Sequence, residues 1–496
     1  MRFVVSLLSV ASLFAGVGDT RLADAAKKMD QAAIRALLQK HVDVNAPQID
    51  GTTALEWAAN NDDLETADLL VRAGANVKAA NRYGMTPLSL ACTNGNGAMV
   101  ALFLKAGADP NTTLPGGETA LMTAARTGKV EAVKALLSRG AGVNAKESQH
   151  GQTALMWAAA EGNVEAVEAL IEAGADMHAR VATGFTPLLF AVREGRIGAV
   201  RALLKAGASV NETIETGEFA RRKLASGAGA PRPGTSAMVL AVTNAHYELA
   251  AYMLDAGADP NAAIPGYTAM HTITWVRKSG GGDNDPSPEG SGNMSSLEFL
   301  KKLVAKGADI NARMTKKLNV GLTSLNTVGA TAFFLAARTA DAELMRALAA
   351  LGADPLVPNA DNTTPLIAAA GLGTRSPGED AGTESEVVEA IQVALDLGND
   401  INAVNNNGET AMHGAAYKNL PAAVELLARK GARIEIWNQK NKFGWTPLRI
   451  AEGYRFGNFK PSAVTVDAFH RVMTAAGVAV VTESKVPGAG RNSDYK

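Results

Sequence analysis

The stretch TALMTAARTGKVEAVKALLSRGAGVNA, residues Thr119–Ala145, contains the whole logic of the chain. It opens on a threonine, whose hydroxyl can accept a hydrogen bond from a free N–H at the start of a helix. The small pair Ala124 and Ala125 lets a neighbouring helix approach closely. A second helical segment places Val130, Val133, Leu136 and Leu137 on one face. Gly140 then ends it, because glycine readily takes the left-handed conformation that stops a helix. Two helices this short cannot bury their apolar faces alone, so the pattern demands neighbours of the same kind.

The neighbours are present on both sides. Capping segments recur as TALEWAA at Thr53, TPLSLAC at Thr86, TALMWAA at Thr153 and TPLLFAV at Thr186. Further copies begin at Ser236, Thr268, Thr331, Thr364, Thr410 and Thr446. Pro87, Pro187, Pro365 and Pro447 follow the capping residue, at the helical position where proline loses no hydrogen bond. The Gly-Ala stop recurs at Gly74, Gly107, Gly174, Gly207, Gly257, Gly307, Gly352 and Gly431, and in degenerate form at Gly398 and Gly477. Its spacing is 33 or 34 residues from Gly74 to Gly207, and mostly 45 to 50 beyond. A period of 33 with these two signatures resembles the ankyrin repeat. The resemblance covers about residues 20–478. It implies an all-α solenoid of about twelve helix-turn-helix units, with short hairpin turns and C-terminal loop insertions. The first unit, Thr20 to Ala46, has His41 where the glycine would fall and polar residues on one face, as a capping unit needs.

The longer intervals locate the insertions at 212–233, 278–295, 313–328, 373–384 and 454–463. Regular units are expected over 19–211 and insertion-bearing units over 212–480. Residues 481–496 are expected to form a disordered tail. Loops of such length on a rigid scaffold are often functional.

Composition narrows the function. The 496 residues carry 48 Lys+Arg against 49 Asp+Glu, a net charge of −1, which gives no nucleic-acid footprint over the whole chain. The single cysteine, Cys92, excludes an internal disulfide, a cysteine-based zinc site and an iron–sulfur cluster. Residues 1–18, MRFVVSLLSVASLFAGVG, read as a secretory signal peptide: Arg2, an apolar run from Phe3 to Phe14, then small residues. The alternative is a first buried helix of the fold. The run is too short for a membrane span. The mature chain is therefore expected near Asp19, in the periplasm or secreted, as an unanchored monomer of bacterial type.

The search for chemistry assigns no catalytic residue, no metal ligand and no cofactor. Seven histidines form no metal-binding spacing, and no nucleophile elbow, P-loop or dinucleotide fingerprint is present. His271 and His413 occupy the fourth position of the Thr-Pro-Leu-His signature, where the resemblance implies a hydrogen bond to a neighbouring turn. Cys92 falls in a small-residue slot, which implies packing. Asp283, Asp285 and Glu289 loosely resemble a calcium loop, but Met294 stands where its bidentate glutamate belongs. The rival to a binding protein is a hydrolytic or metal-dependent enzyme, its site built from insertion carboxylates including Glu379 and Asp380.

The expected activity is thus non-covalent binding of a protein partner. The resemblance places partner contacts on turn tips and exposed first-helix positions, which line a concave face. Carried over residue by residue, it selects Tyr83, Met85, His150, Gln152, Phe185, Tyr267, Phe443 and Trp445 on the turns. On the helices it selects Arg126, Arg193, Trp275, Arg338 and Tyr417. Aromatic residues and arginine dominate this set, as they do at binding hot spots. Packing of each ring onto a neighbouring turn is the alternative. Trp57 and Trp157 precede their Ala-Ala pairs and are expected to face the core. The segment from Trp437 to Lys460 interleaves aromatic and basic residues, which suits an acidic protein or an anionic glycan, or else a cap sealing the stack. The insertion-bearing half is expected to provide most of the contact energy.

Overall fold

The computed structural model describes residues 19–215, 232–279, 287–318, 321, 323–455 and 460–479. The expected signal peptide, the tail from 481, most of the 212–233 insertion and the residues Asp283 and Asp285 lie outside them. The chain divides into two compact units, the first reaching Ser209 and including Glu215, the second formed by 210–214 and the residues from 232 onward.

Each unit is a stack of helix pairs. In the first, the opening helices Arg21–Lys27, Ala54–Asn60, Pro87–Asn94, Ala120–Thr127, Ala154–Glu161 and Pro187–Arg193 pack successively on one another. Second helices such as Gly97–Lys105, Val130–Ser138, Val164–Glu172 and Ile197–Lys205 form a parallel outer row. In the second unit, the first helices are Ala237–Thr243, Ala269–Arg277, Ala332–Arg338, Pro365–Ala369, Ala411–Lys418 and Pro447–Ala451. The only extended pairing among the described residues is three isolated bridges, Thr113 with Thr119, Thr213 with Ser236 and Thr323 with Thr374.

The recurrent residue types have local causes. Thr86, Thr119, Thr153 and Thr186 accept a hydrogen bond from the N–H three residues on. The four prolines each begin a helix. Gly174 ends the helix Val164–Glu172 with φ +85°, and His41 holds the same left-handed geometry at φ 53° without being glycine. The asparagine following the Gly-Ala stop links repeats: the Asn144 carboxamide oxygen accepts the Asp176 N–H at 2.7 Å, and Asn45 and Asn111 do the same for Asn76 and Gly142. The core is aliphatic and alanine-rich, with Ala124, Ala125, Val133 and Leu136 fully buried.

Candidate functional site

In the first unit two of the turn tips are closed from within by a single polar side chain. The Asn81 oxygen accepts the N–H groups of Tyr83 and Met85, at 3.0 and 3.1 Å. In a later tip the Glu147 carboxylate accepts those of Gln149, His150 and Gln152 at 2.6, 2.7 and 3.0 Å. Burial alone would raise the Glu147 carboxyl, but these donors outweigh it and hold it below its ordinary range. Tyr83 is 67% exposed and His150 is exposed, while Met85 and Gln152 are half-buried. Tip closure by asparagine was not read from the sequence. Its signal is plain in retrospect, since Asn81, Asn359, Asn405 and Asn441 each stand five residues before a capping threonine.

On the helices of this unit, cations lie over rings. The Arg126 guanidinium is 5.3 Å from the Trp157 ring centre and also pairs with Glu118 at 3.4 Å. Lys27 lies 4.7 Å from Trp57, whose indole N–H donates to Gln48 at 2.8 Å. Trp57 and Trp157, expected to face the core, are half-buried and contribute to the first-helix surface instead. Arg193 is half-buried above Phe185 and Phe190, 5.3 and 5.0 Å from their centres. Phe185 corrects its expectation as a tip contact: its ring lies against Phe190 at 5.4 Å and is 5% exposed.

The second unit departs further from expectation. Ala332–Arg338, Pro365–Ala369 and Ala411–Lys418 are buried at every residue. Arg338 and Tyr417, selected as exposed helix positions, are therefore interior. Arg338 is buried because Asp380, brought in by the insertion after Pro365–Ala369, meets its guanidinium at 2.7 Å. Tyr417 is buried because its hydroxyl donates to Glu409 at 3.3 Å and accepts from Asn441 at 3.3 Å, while Arg455 donates to its carbonyl. Burial raises the Glu409 carboxyl above its ordinary range, and burial with the facing Glu409 carboxylate raises the Tyr417 hydroxyl. Tyr267 and Trp275 are half-buried and meet edge-to-face at 5.3 Å. Phe443 is exposed beside half-buried Trp445, with ring centres 5.3 Å apart. Trp437 and Arg455 are interior, Trp437 against Phe469, whereas Lys440, Lys442, Phe443 and Lys460 are exposed and Phe456 and Phe459 lie outside the described residues.

Cys92, His271 and His413 are packing residues. Burial pushes the Cys92 thiol up to about 12, far from a nucleophile's range. His271 is fully buried. Its Nδ1 accepts the Thr268 N–H at 3.2 Å, and its Nε2 lies 3.2 Å from the Ala330 carbonyl of the next turn. Burial takes its pKa down to about 4, so the ring is neutral at physiological pH. His413 is equally buried on Thr410. Among the described residues no group of three or more His, Cys, Asp or Glu is placed to hold a metal ion. Glu289 and Glu379 are exposed and Asp380 is committed to Arg338.

Stacked helix pairs, capped by threonine and stopped by glycine, define an all-α repeat scaffold. Family comparison gives the same answer: a model described as ankyrin repeats (3 copies) matches residues 22–114, 107–181 and 381–458, and one for a single ankyrin repeat matches 183–214. Together they cover more than half of the chain, which belongs to the ankyrin-repeat family and has its solenoid fold. No curated protein matches it. The fold is that of a non-catalytic scaffold, and no described helix is long and apolar enough to cross a membrane.

Proposed function

We propose that the chain is a protein-binding scaffold whose partner docks on the first unit, across the turn tips and first-helix surface. Tyr83, Met85, Arg126, His150, Gln152 and Arg193 are its contact residues, with Trp57 and Trp157 as half-exposed platforms. The observation that supports this is the contrast between helices. First-helix positions of the first unit stay open, with Arg126 exposed beside Trp157, whereas three successive first helices of the second unit are covered by their own chain. Rigid tips limit the ordering cost on association. On the second unit Tyr267 with Trp275, and Phe443 with Trp445, form two separate ring pairs as secondary contact points. The proposal includes export of a monomer to the periplasm or beyond, motivated by residues 1–18.

The test is site-specific photo-crosslinking in the producing cell. A photoreactive residue at Tyr83 or His150 should give one discrete protein adduct, weakened about tenfold by Trp157→Ala or Arg126→Ala, moderate hot-spot losses. The same residue at Leu64, exposed on an outer helix, should give none. Equal adducts at all three positions, or none at either tip, would refute the assignment.

A further inference from the structure

The segment 371–383, which holds most of the insertion 373–384, has a fitted seat in the second unit. Asp380 is 8% exposed; one of its oxygens meets Nη2 of Arg338 at 2.7 Å and the other accepts from the Thr374 hydroxyl at 3.1 Å. Lys418, at the end of the helix Ala411–Lys418, donates from Nζ to the Ala381 carbonyl. Helix and insertion are shaped to each other: a Cβ on Gly414 would come within 3.0 Å of the Leu372 nitrogen, and one on Gly382 within 2.6 Å of the Ala340 side chain. A second insertion clasps it, the Ser324 N–H donating to the Gly373 carbonyl at 2.8 Å. Between these anchors Arg375, Gly378 and Glu379 are exposed, so the segment is a strap fastened at its ends and at Asp380.

The seat is better at binding a carboxylate than its present occupant is at filling it. Arg338 is wholly buried, yet Nε has no hydrogen-bond partner. A guanidinium offers a fork of paired donors that a carboxylate can meet with both oxygens. Asp380 uses one prong, because its other oxygen is taken by Thr374. A buried pair of this kind adds little net stability, since desolvation offsets most of the attraction. Exchange of one carboxylate for another is therefore electrostatically neutral, and a freely oriented one gains the second prong.

We infer that the first-helix face around Arg338 and Lys418 is a carboxylate-recognition site occupied in cis by the strap. Its partner in trans is an acidic protein segment presenting an aspartate or glutamate among small residues, as Glu379–Asp380–Ala381–Gly382 does. The strap acts as a built-in competitor. Tethered ligands reach effective concentrations in the millimolar range. Against a trans affinity of tens of micromolar, closure lowers apparent binding on the order of 10- to 100-fold. This site is separate from the first-unit surface, and neither requires the other.

The experiment uses the full chain and a fluorescent synthetic peptide of residues 371–383, GLGTRSPGEDAGT, followed by anisotropy. A variant with 374–381 replaced by an equally long Gly-Ser run should bind it at least about tenfold more tightly than the native chain does. The peptide with asparagine for its aspartate should bind the variant at least about tenfold more weakly, and Arg338→Gln in the variant should abolish binding. A folded variant that ignores the peptide, indifference to the asparagine change, or equal binding by the native chain overturns the inference. Should the variant not fold, hydrogen exchange of the native chain decides. Amides of 374–382 must exchange by local opening, at least about tenfold faster than those of 332–338 and 411–418. Equal protection would make the strap a fixed part of the core and overturn the inference as well.

Discussion

Replacing Lys418 by methionine should stabilise the second unit at neutral pH, and the gain should fade as pH rises. The lysine is 4% exposed, and burial takes its ammonium from an ordinary 10.5 down to about 8. Nearby Asp380 and Glu386 resist this, while Arg338 and Lys278 add to it. That depression corresponds to about 3 kcal/mol against the folded state. Methionine has similar length, needs no hydration, and removes this term. It also leaves the Ala381 carbonyl without its donor, which costs about 1–2 kcal/mol. The expected net gain is on the order of 1–2 kcal/mol. The sign with pH follows from proton counts. Below about 8 both folded and unfolded chains hold the proton, so the penalty of the native lysine is constant and complete. Between about 8 and 10.5 the unfolded chain still holds it and the folded chain has released it. Stability of the native chain therefore rises through that window. Urea titrations of both proteins at pH 6, 7, 9 and 10.5, followed by circular dichroism, measure the difference directly. A variant less stable than the native chain at pH 7, by an amount independent of pH, would show that the ammonium is a net stabilising partner of the strap.

Gly174→Val should lower stability by about 1–2 kcal/mol, the strain of a side chain in left-handed backbone. An added Cβ there meets nothing within 4 Å, so a clash cannot be the cause, and Gly174→Ala should cost nearly as much in thermal midpoint. His41→Gly should do the reverse, stabilising the first repeat by about 1 kcal/mol, because φ 53° is held by a residue with a Cβ. Tyr417→Phe should lose about 1–3 kcal/mol of stability, since it strips a buried hydroxyl from Glu409 and Asn441. An unchanged midpoint in any of these would contradict the role assigned. N-terminal sequencing of the protein recovered outside the cytoplasm should begin between residues 15 and 19, and an intact Met1 would remove the export proposal.

The repeats were legible because their punctuation is local chemistry. A threonine that caps, a proline at the next position and a glycine that stops a helix act within a few residues, so spacing alone sets the register. His271 was legible for the same reason, with Nδ1 bonding three residues back and Nε2 meeting the next turn. Register also states which side of a helix a residue occupies, but not what lies against that side. Arg126 and Arg338 hold the same position after their Ala-Ala pairs, yet one is exposed over a tryptophan and the other is buried under Asp380. The difference comes from the path of an insertion that has no periodicity to read. The chain nevertheless marks where the inference stops holding. From Gly74 to Gly207 the intervals of 33 or 34 carry no insertion, and around Arg126 and His150 position translates into exposure, although Phe185 in the same stretch is buried against Phe190. Intervals of 45 or more can cover a first helix: Ala332–Arg338 and Pro365–Ala369 lie in two of them and are buried throughout, and Ala411–Lys418, in an interval of 33, is buried beside the insertion of the unit before it. In a repeat protein of this kind, an irregular spacing is thus a reason to look for cover on its own helix and on the next one, which is what places Arg338 and Lys418 beneath the strap while Arg126 stays open.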